Sequence, residues 1–158
     1  MLIRRFEAKD AKEVSELVCR NFMEVNIKDY PAEEMEQLAN SYNAERILNI
    51  ASFAHMYVAC EGDTIVGTGS IAGYLGSETE SVLLTIFVLP EYHGKGIGRS
   101  IVQTLEGDEY FLRADRVEVP ASITACEFYR KMSYRYIGGK KALDDEGHYP
   151  MEKLRSNP

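Results

Sequence analysis

The stretch Ser81-Val-Leu-Leu-Thr-Ile-Phe-Val-Leu-Pro-Glu-Tyr-His-Gly-Lys-Gly-Ile-Gly-Arg99 decides the architecture. Its first part, Ser81 to Leu89, is apolar on both alternating faces, with Val82, Leu84, Ile86 and Val88 on one and Leu83, Phe87 and Leu89 on the other. Such a strand belongs in the middle of a sheet covered by other layers. Past Pro90, the segment His93 to Arg99 is rich in glycine, and Ile97, Ile101, Val102 and Leu105 then recur at helical intervals. Strand, glycine turn and helix in that order build an anion site. The first N–H groups of a helix point outward unpaired, and its dipole adds partial positive charge. Gly94, Gly96 and Gly98 let phosphate oxygens approach the main chain, and Lys95 and Arg99, with His93 beside them, make the segment locally basic. A pyrophosphate is the natural guest.

Upstream, Leu2 to Phe6 reads as a short strand, and Asp10 with Glu13 has capping-box spacing ahead of Ala11, Val14, Leu17 and Val18. Pro31 suits the first turn of a second helix, carried by Met35, Leu38, Ala39 and Tyr42 and then a less regular stretch through Ile50. His55 to Glu61 and Thr64 to Ile71, separated by Gly62 and Asp63, read as a hairpin. Downstream, Val117 to Val119 is a strand stopped by Pro120, followed by a helix with Ala125, Phe128, Tyr129 and Met132 on one face. Thr124 and Glu127, or Ser122 alone, supply its cap. Gly107 either ends the preceding helix or lies inside it. Two weaker strands, Tyr134 to Gly138 and about His148 to Leu154, flank a polar loop containing Asp144, Asp145, Glu146 and Gly147. With no repeat or linker dividing the chain, the pattern is a single α/β domain over residues 1–154 with a mixed sheet and a short tail at 155–158.

The chain has 158 residues, 45% apolar and 27% charged, the size and mixture of one globular core. Eighteen Lys and Arg against 25 Asp and Glu leave a formal charge of −7, which opposes a general nucleic-acid binder. Cys19, Cys60 and Cys126 are odd in number and far apart, and read as free packing thiols in a reducing compartment. The opening residues lack a signal-peptide core and the apolar runs are far short of the ~20 residues that span a bilayer, so the expectation is a cytoplasmic protein without a membrane partner. His55 and His148 have no paired ligand spacing, and no metal is expected.

Spacing separates the phosphate-binding families. Lys95 is not followed by Ser or Thr as in a Walker loop, and a dinucleotide fingerprint begun at Gly94 would need glycine at Arg99. The run Val88 to Arg99 instead resembles the acetyl-CoA signature of GNAT-type N-acetyltransferases, Val-x-Pro and then Gln/Arg-x-x-Gly-x-Gly/Ala. Ser122-x-x-Ala125-x-x-Phe128-Tyr129-x-Lys131 resembles the second signature of that superfamily, Asn-x-x-Ala-x-x-Phe-Tyr-x-Lys. The succession of elements from Leu2 to about Leu154 is similar too. His93 replaces the usual Gln or Arg, Ser122 the frequent Asn, and Ser133-Tyr134 the frequent Gly-Phe.

The resemblance implies the acyl-CoA N-acyltransferase fold, a mostly antiparallel twisted sheet with helices on both faces. It also implies transfer of the acetyl group of acetyl-CoA to a primary amine by direct attack in a ternary complex. Phe87, Val88, His93, Gly94, Lys95, Gly96, Ile97, Gly98, Arg99, Ser122, Ala125, Phe128 and Tyr129 would bind the cofactor, with the Val88 N–H polarising the thioester carbonyl. Tyr129, in the place of a family tyrosine near the sulfur, would protonate the departing thiolate, although its helical stripe also suits plain packing. Glu80 is the candidate base, against solvated loop charge for it and Glu78, or proton loss through water. Tyr30, Tyr42 and Tyr74 border the acceptor groove by the same resemblance, and the Asp144 to Glu146 turn flanks it. The acceptor is an amine-bearing small molecule or peptide, and a homodimer fits the family. A non-catalytic acyl-CoA sensor or assembly module is the rival reading, because the central strand carries no carboxylate.

Overall fold

The Gly67-Thr-Gly69 run at the centre of the sheet lets a helix settle directly on the backbone. A Cβ at Gly67 would lie 2.8 Å from Ile101 Cδ1, and one at Gly69 would lie 2.4 Å from Ile101 Cγ2. In the computed structural model, which describes residues 1–155, this contact fixes the height of the helix after the glycine turn. The elements are β1 (Leu2–Arg5), α1 (Ala11–Glu24), α2 (Ala32–Ser41), α3 (Ala44–Phe53), β2 (His55–Glu61), β3 (Thr64–Gly73), β4 (Glu80–Val88), α4 (Ile97–Leu105), α5 (Glu109–Leu112), β5 (Arg116–Ala121), α6 (Cys126–Lys131), β6 (Arg135–Tyr136) and β7 (Tyr149–Leu154). The strands form one sheet in the order β1-β2-β3-β4-β5-β7-β6. Among the described residues only the β4–β5 pair is parallel.

Two apolar layers sandwich the sheet. Val14, Leu17, Val18, Ile47 and Ile50 pack α1 and α3 against Met56, Val58 and Ile65 on one face. Ile97, Ile101, Val102 and Leu105 of α4, with Cys126, Tyr129 and Met132, cover Leu83, Val117, Val119 and Met151 on the other. The expected mixed, mostly antiparallel sheet with helices on both faces is therefore present. Among the described residues no helix is long and apolar enough to cross a membrane.

Several local expectations change. The stretch from Pro31 to Ile50 is two helices, because Asn43 starts a new one by accepting from the Arg46 N–H at 2.9 Å. Pro31 stands just before the first turn of α2 rather than inside it. Asp10 and Glu13 form no capping box. Asp10 accepts from the Glu7 N–H at 2.8 Å and from Arg4 at 2.8 and 3.0 Å, while Glu13 reaches across to the Ile65 N–H at 2.6 Å. Thr124 and Glu127 form none either, since Glu127 pairs with Arg130. Gly107 lies beyond the end of α4, and Asp108 then caps α5 through the Tyr110 N–H at 2.9 Å. The hairpin is as expected, with β3 running on to Gly73, whereas the strand expected from Tyr134 shrinks to Arg135–Tyr136.

Pro120 does not stop β5. It pairs with Pro150 across β7, and two residues without N–H groups can only form a non-hydrogen-bonded pair, so each ring nitrogen points to the far edge of its strand. On β5 that far edge faces β4.

Two outcomes test this account. Gly69→Ala forces Ile101 off the sheet and is expected to lower the unfolding free energy by about 2 kcal/mol in urea titrations. The Arg4 guanidinium holds the Asp10 carboxyl below the usual carboxylate range although burial pushes it up. The pair therefore contributes stability above the unfolded Asp pKa of about 3.9 and loses it as pH falls through the lower folded value. Asp10→Asn should be clearly less stable than the parent at pH 7, with the gap narrowing below about pH 4.

Candidate active site

β4 and β5 are joined by only three rungs, Glu80 to Arg116, Ser81 to Val117 and Val82 to Glu118. Beyond them β4 stays on β3 as far as Val88, and β5 stays on β7 as far as Ala121, so the two strands diverge as a fork. A bulge bends β4 away, with the register against β3 slipping between Thr68 and Ser70 and Thr85 taking a φ of +49°. Its hydroxyl meets the Ser70 hydroxyl at 2.7 Å and the Leu84 carbonyl at 2.8 Å. The bulge also overturns the expected alternation of β4. Val82 and Leu84 pack toward the α1–α3 layer, whereas Ile86 and Val88, expected on the same face, pack toward α4 and α6.

Val88 is the upper lip of the fork. The Leu89 N–H goes to the Val66 carbonyl at 2.8 Å, so the N–H and C=O of Val88, one residue earlier, point to the opposite edge, into the fork. His93 Nε2 meets that carbonyl at 2.8 Å. The His93 ring is thus turned back onto β4 rather than out toward the helix start.

The glycine turn then delivers main-chain donors. Gly94 and Gly96 have φ of +77° and +80°, and nothing lies within 4 Å of a Cβ built on either. Among the described residues the N–H groups of Gly94, Lys95, Gly96, Ile97, Gly98 and Arg99 have no backbone or side-chain acceptor, and the first helical bond runs from the Ser100 N–H to the Gly96 carbonyl. Gly98 brings α4 against α6, since a Cβ there would lie 3.5 Å from the Phe128 ring and 3.9 Å from Val88 Cγ2. Ile97 buries its side chain and offers only its N–H, while Lys95 and Arg99 are exposed. Arg20 of α1 grips Glu91 in the turn after β4 with a two-pronged pair at 2.8 and 2.9 Å.

Tyr129 is buried between Phe128 and Tyr134, both edge-on, with ring centroids at 5.0 and 5.9 Å. Burial alone pushes its phenol up, with no hydrogen bond acting on it. Ser122 and Ala125 border the short turn leading into α6, and the buried Cys126 thiol reaches back to the Ser122 carbonyl at 3.4 Å. Phe87 is half-buried on the other face, edge-on to Phe22 at 5.5 Å.

Glu80 is not brought to these residues. It lies at the foot of β4, bound to Arg116 at 2.9 Å, and the same guanidinium holds Glu152 at 2.7 Å and Glu118. Of the three tyrosines, Tyr30 is the one that joins separate segments. Its hydroxyl donates to the Gly147 carbonyl at 2.6 Å and accepts from the Ile123 N–H at 3.1 Å. Tyr74 lies under Arg116, 5.7 Å from its guanidinium, and Tyr42 packs on Phe22. A groove of about 660 Å³ runs between Glu34, Gln37, Leu38 and Ser41 of α2 and the loop from Leu143 to Gly147.

A family profile described as "Acetyltransferase (GNAT) domain" matches residues 26–155, most of the chain. The chain belongs to this family. No curated protein sequence matches it. Among solved structures, the GNAT domain is similar to a PaiA N-acetyltransferase from Thermoplasma acidophilum in complex with coenzyme A, at 19% identity and a TM-score of 0.80 over 98% of both chains. It is also similar to a GCN5-related N-acetyltransferase from Rhodopseudomonas palustris, at 21% identity and a TM-score of 0.79, over 98% of this chain and 95% of that one. An aminoglycoside 6'-N-acetyltransferase complexed with coenzyme A matches at 19% identity and a TM-score of 0.68, over 100% of this chain and 99% of that one. At these identities the likeness is one of fold.

Sequence reasoning missed the Arg116 cluster because Glu80 and Glu152 reach Arg116 only through strand pairing, although Arg116 and Glu118, two apart on one strand, did leave a local signal. Gly67 and Gly69 did leave a signal, alternate glycines inside a strand. With open space around Gly94 and Gly96, a methyl group there costs only conformational strain. Gly94→Ala and Gly96→Ala should each lose about 1–2 kcal/mol of unfolding free energy by chemical denaturation.

Proposed function

We propose that this GNAT domain is an N-acetyltransferase that moves the acetyl group of acetyl-CoA to a primary amine by direct attack within a ternary complex. The observation that carries the reading is the run of six free N–H groups from Gly94 to Arg99, set beside the fork between β4 and β5. Consecutive donors at a helix start suit a diphosphate, and Lys95 and Arg99 add positive charge outside it. The half-buried apolar wall of the fork, Leu84, Ile86 and Val88, suits a slender arm with few charges.

Acetyl-CoA supplies a thioester, a carbonyl already activated toward amines. The chain supplies the rest. Gly94 to Arg99 hold the diphosphate, Phe128, Ala125 and Ser122 line the side toward α6, and Val88 presents its N–H to the arm. His93 acts through the Val88 carbonyl, which its ring occupies. Tyr129, kept protonated by burial, gives its proton to the departing sulfur. Cys126 is buried and turned to the main chain, which supports attack without a covalent enzyme intermediate. Glu80, tied to Arg116 two rungs below the fork, is poorly placed as the base.

Calorimetry with CoA and a thiol-release assay over spermidine, kanamycin, lysine and a peptide N-terminus test the reading together. Saturable CoA heat and thiol release with at least one amine are expected. No heat at millimolar CoA would sink it, and CoA binding with no turnover on any amine would favour the sensor reading. Tyr129→Phe should lower kcat about 100-fold while leaving the CoA dissociation constant within about twofold.

A further inference from the structure

We infer that Glu118 is the general base of the acetyl transfer, because it stands on the last rung of the fork, on the face opposite Tyr129, with its carboxylate on the Arg116 guanidinium. The inference rests on the acetyltransferase reading above. Val117 and Val119 are buried beneath α4 and α6, so strand alternation turns Glu118 to the other face, the face of Val82 and Leu84. Glu118 pairs directly with Val82, and beyond that rung the sheet is open.

Reach places the thioester there. The first turn of α4 sits against Val88, 3.9 Å from a Cβ at Gly98. The arm between the diphosphate and the sulfur of CoA contains two amide units and is about as long as four extended residues, roughly 14 Å. Laid along β4 from Val88 at about 3.3 Å per residue, it ends near Leu84, two positions from the Val82 to Glu118 rung. Tyr129 then approaches the sulfur from the α6 side and Glu118 faces an amine arriving from the other.

Charge agrees with this role. The groups around Glu118 are Arg116, Glu80 and Glu152, with the Tyr74 ring under the guanidinium and Arg135 across the sheet from Glu152. One cation shared by three carboxylates leaves net negative charge to attract an ammonium group. Glu152 lies one strand further from the fork, and Glu80 lies two rungs below its opening.

The proton balance closes. Glu118 takes one proton from the ammonium acceptor, the C–N bond forms as the C–S bond breaks, and Tyr129 protonates the sulfur. The second amine proton returns to Tyr129 through solvent, and Glu118 releases its own, so each turnover yields one free proton.

Glu118→Gln keeps the shape and removes the base. With the best amine of the panel above, kcat at pH 7 should fall about 100-fold with KM for acetyl-CoA within about twofold. The deficit should shrink as pH approaches the pKa of the amine, where free amine no longer needs a base. A dead-end complex gives a readout without turnover: the same amine titrated into CoA-saturated protein should bind about tenfold more weakly to Glu118→Gln. Should Gln unfold the chain, Glu118→Asp withdraws the carboxylate by one carbon and is expected to show the same pH recovery in smaller degree. A pH-independent loss, unchanged kcat in either variant, or pH recovery in Glu80→Gln instead would overturn the assignment. A wild-type chain that binds no CoA would overturn the acetyltransferase reading first and this inference with it.

Discussion

The divergence of β4 from β5 above the Val82 to Glu118 rung is the constraint around which the molecule is arranged. Opening a sheet in its middle strips partners from main-chain groups on both facing edges, and buried groups of that kind are costly. The sequence limits the loss residue by residue. Thr85 bends β4 away and satisfies its own hydroxyl on Ser70 and Leu84. His93 occupies the Val88 carbonyl, and Pro120 removes a donor from the opposing edge. The Val88 N–H and the N–H groups at the start of α4 stay open, where a ligand with acceptor oxygens can use them.

The fork also separates two environments. On one face α4 lies close enough to the sheet that Ile101 leaves no room for side chains on Gly67 and Gly69, and this depth sets the first turn of α4 beside Val88 and Phe128. The buried Tyr129 shares that apolar layer, so its phenol stays neutral. On the other face the Arg116 cluster holds carboxylates at the foot of the opening, and Tyr30 ties the connection after α1 to the segments at Ile123 and Gly147. Tyr129 and Glu118 thus occupy different surroundings, one inside an apolar layer and the other beside a guanidinium shared by three carboxylates.

Much of this was legible in the chain. The doubly apolar run from Ser81 to Leu89 announced a central strand, and the glycines from Gly94 to Gly98 announced a helix start open to anions, because both depend on local backbone chemistry. What was hidden depends on pairing between distant segments. The face change within β4 needs a bulge whose cause lies partly in β3, and Pro120 reads locally as a strand breaker until Pro150 is placed opposite it. Arg116 and Glu152 are 36 positions apart, so no spacing rule connects them. The break at Asn43 was a local signal, a helix-capping residue inside a helical pattern, outweighed by apolar periodicity on either side.

The facing prolines of β5 and β7 carry one more consequence. Because neither ring bears an amide hydrogen, the cleft edge of β5 at Pro120 and the edge of β7 toward β6 at Pro150 cannot continue a ladder there. The chain cannot zip its own cleft closed at that position. Nor can a stray segment from another molecule anneal fully into the gap, so an open middle that would otherwise invite aggregation is kept available for small molecules.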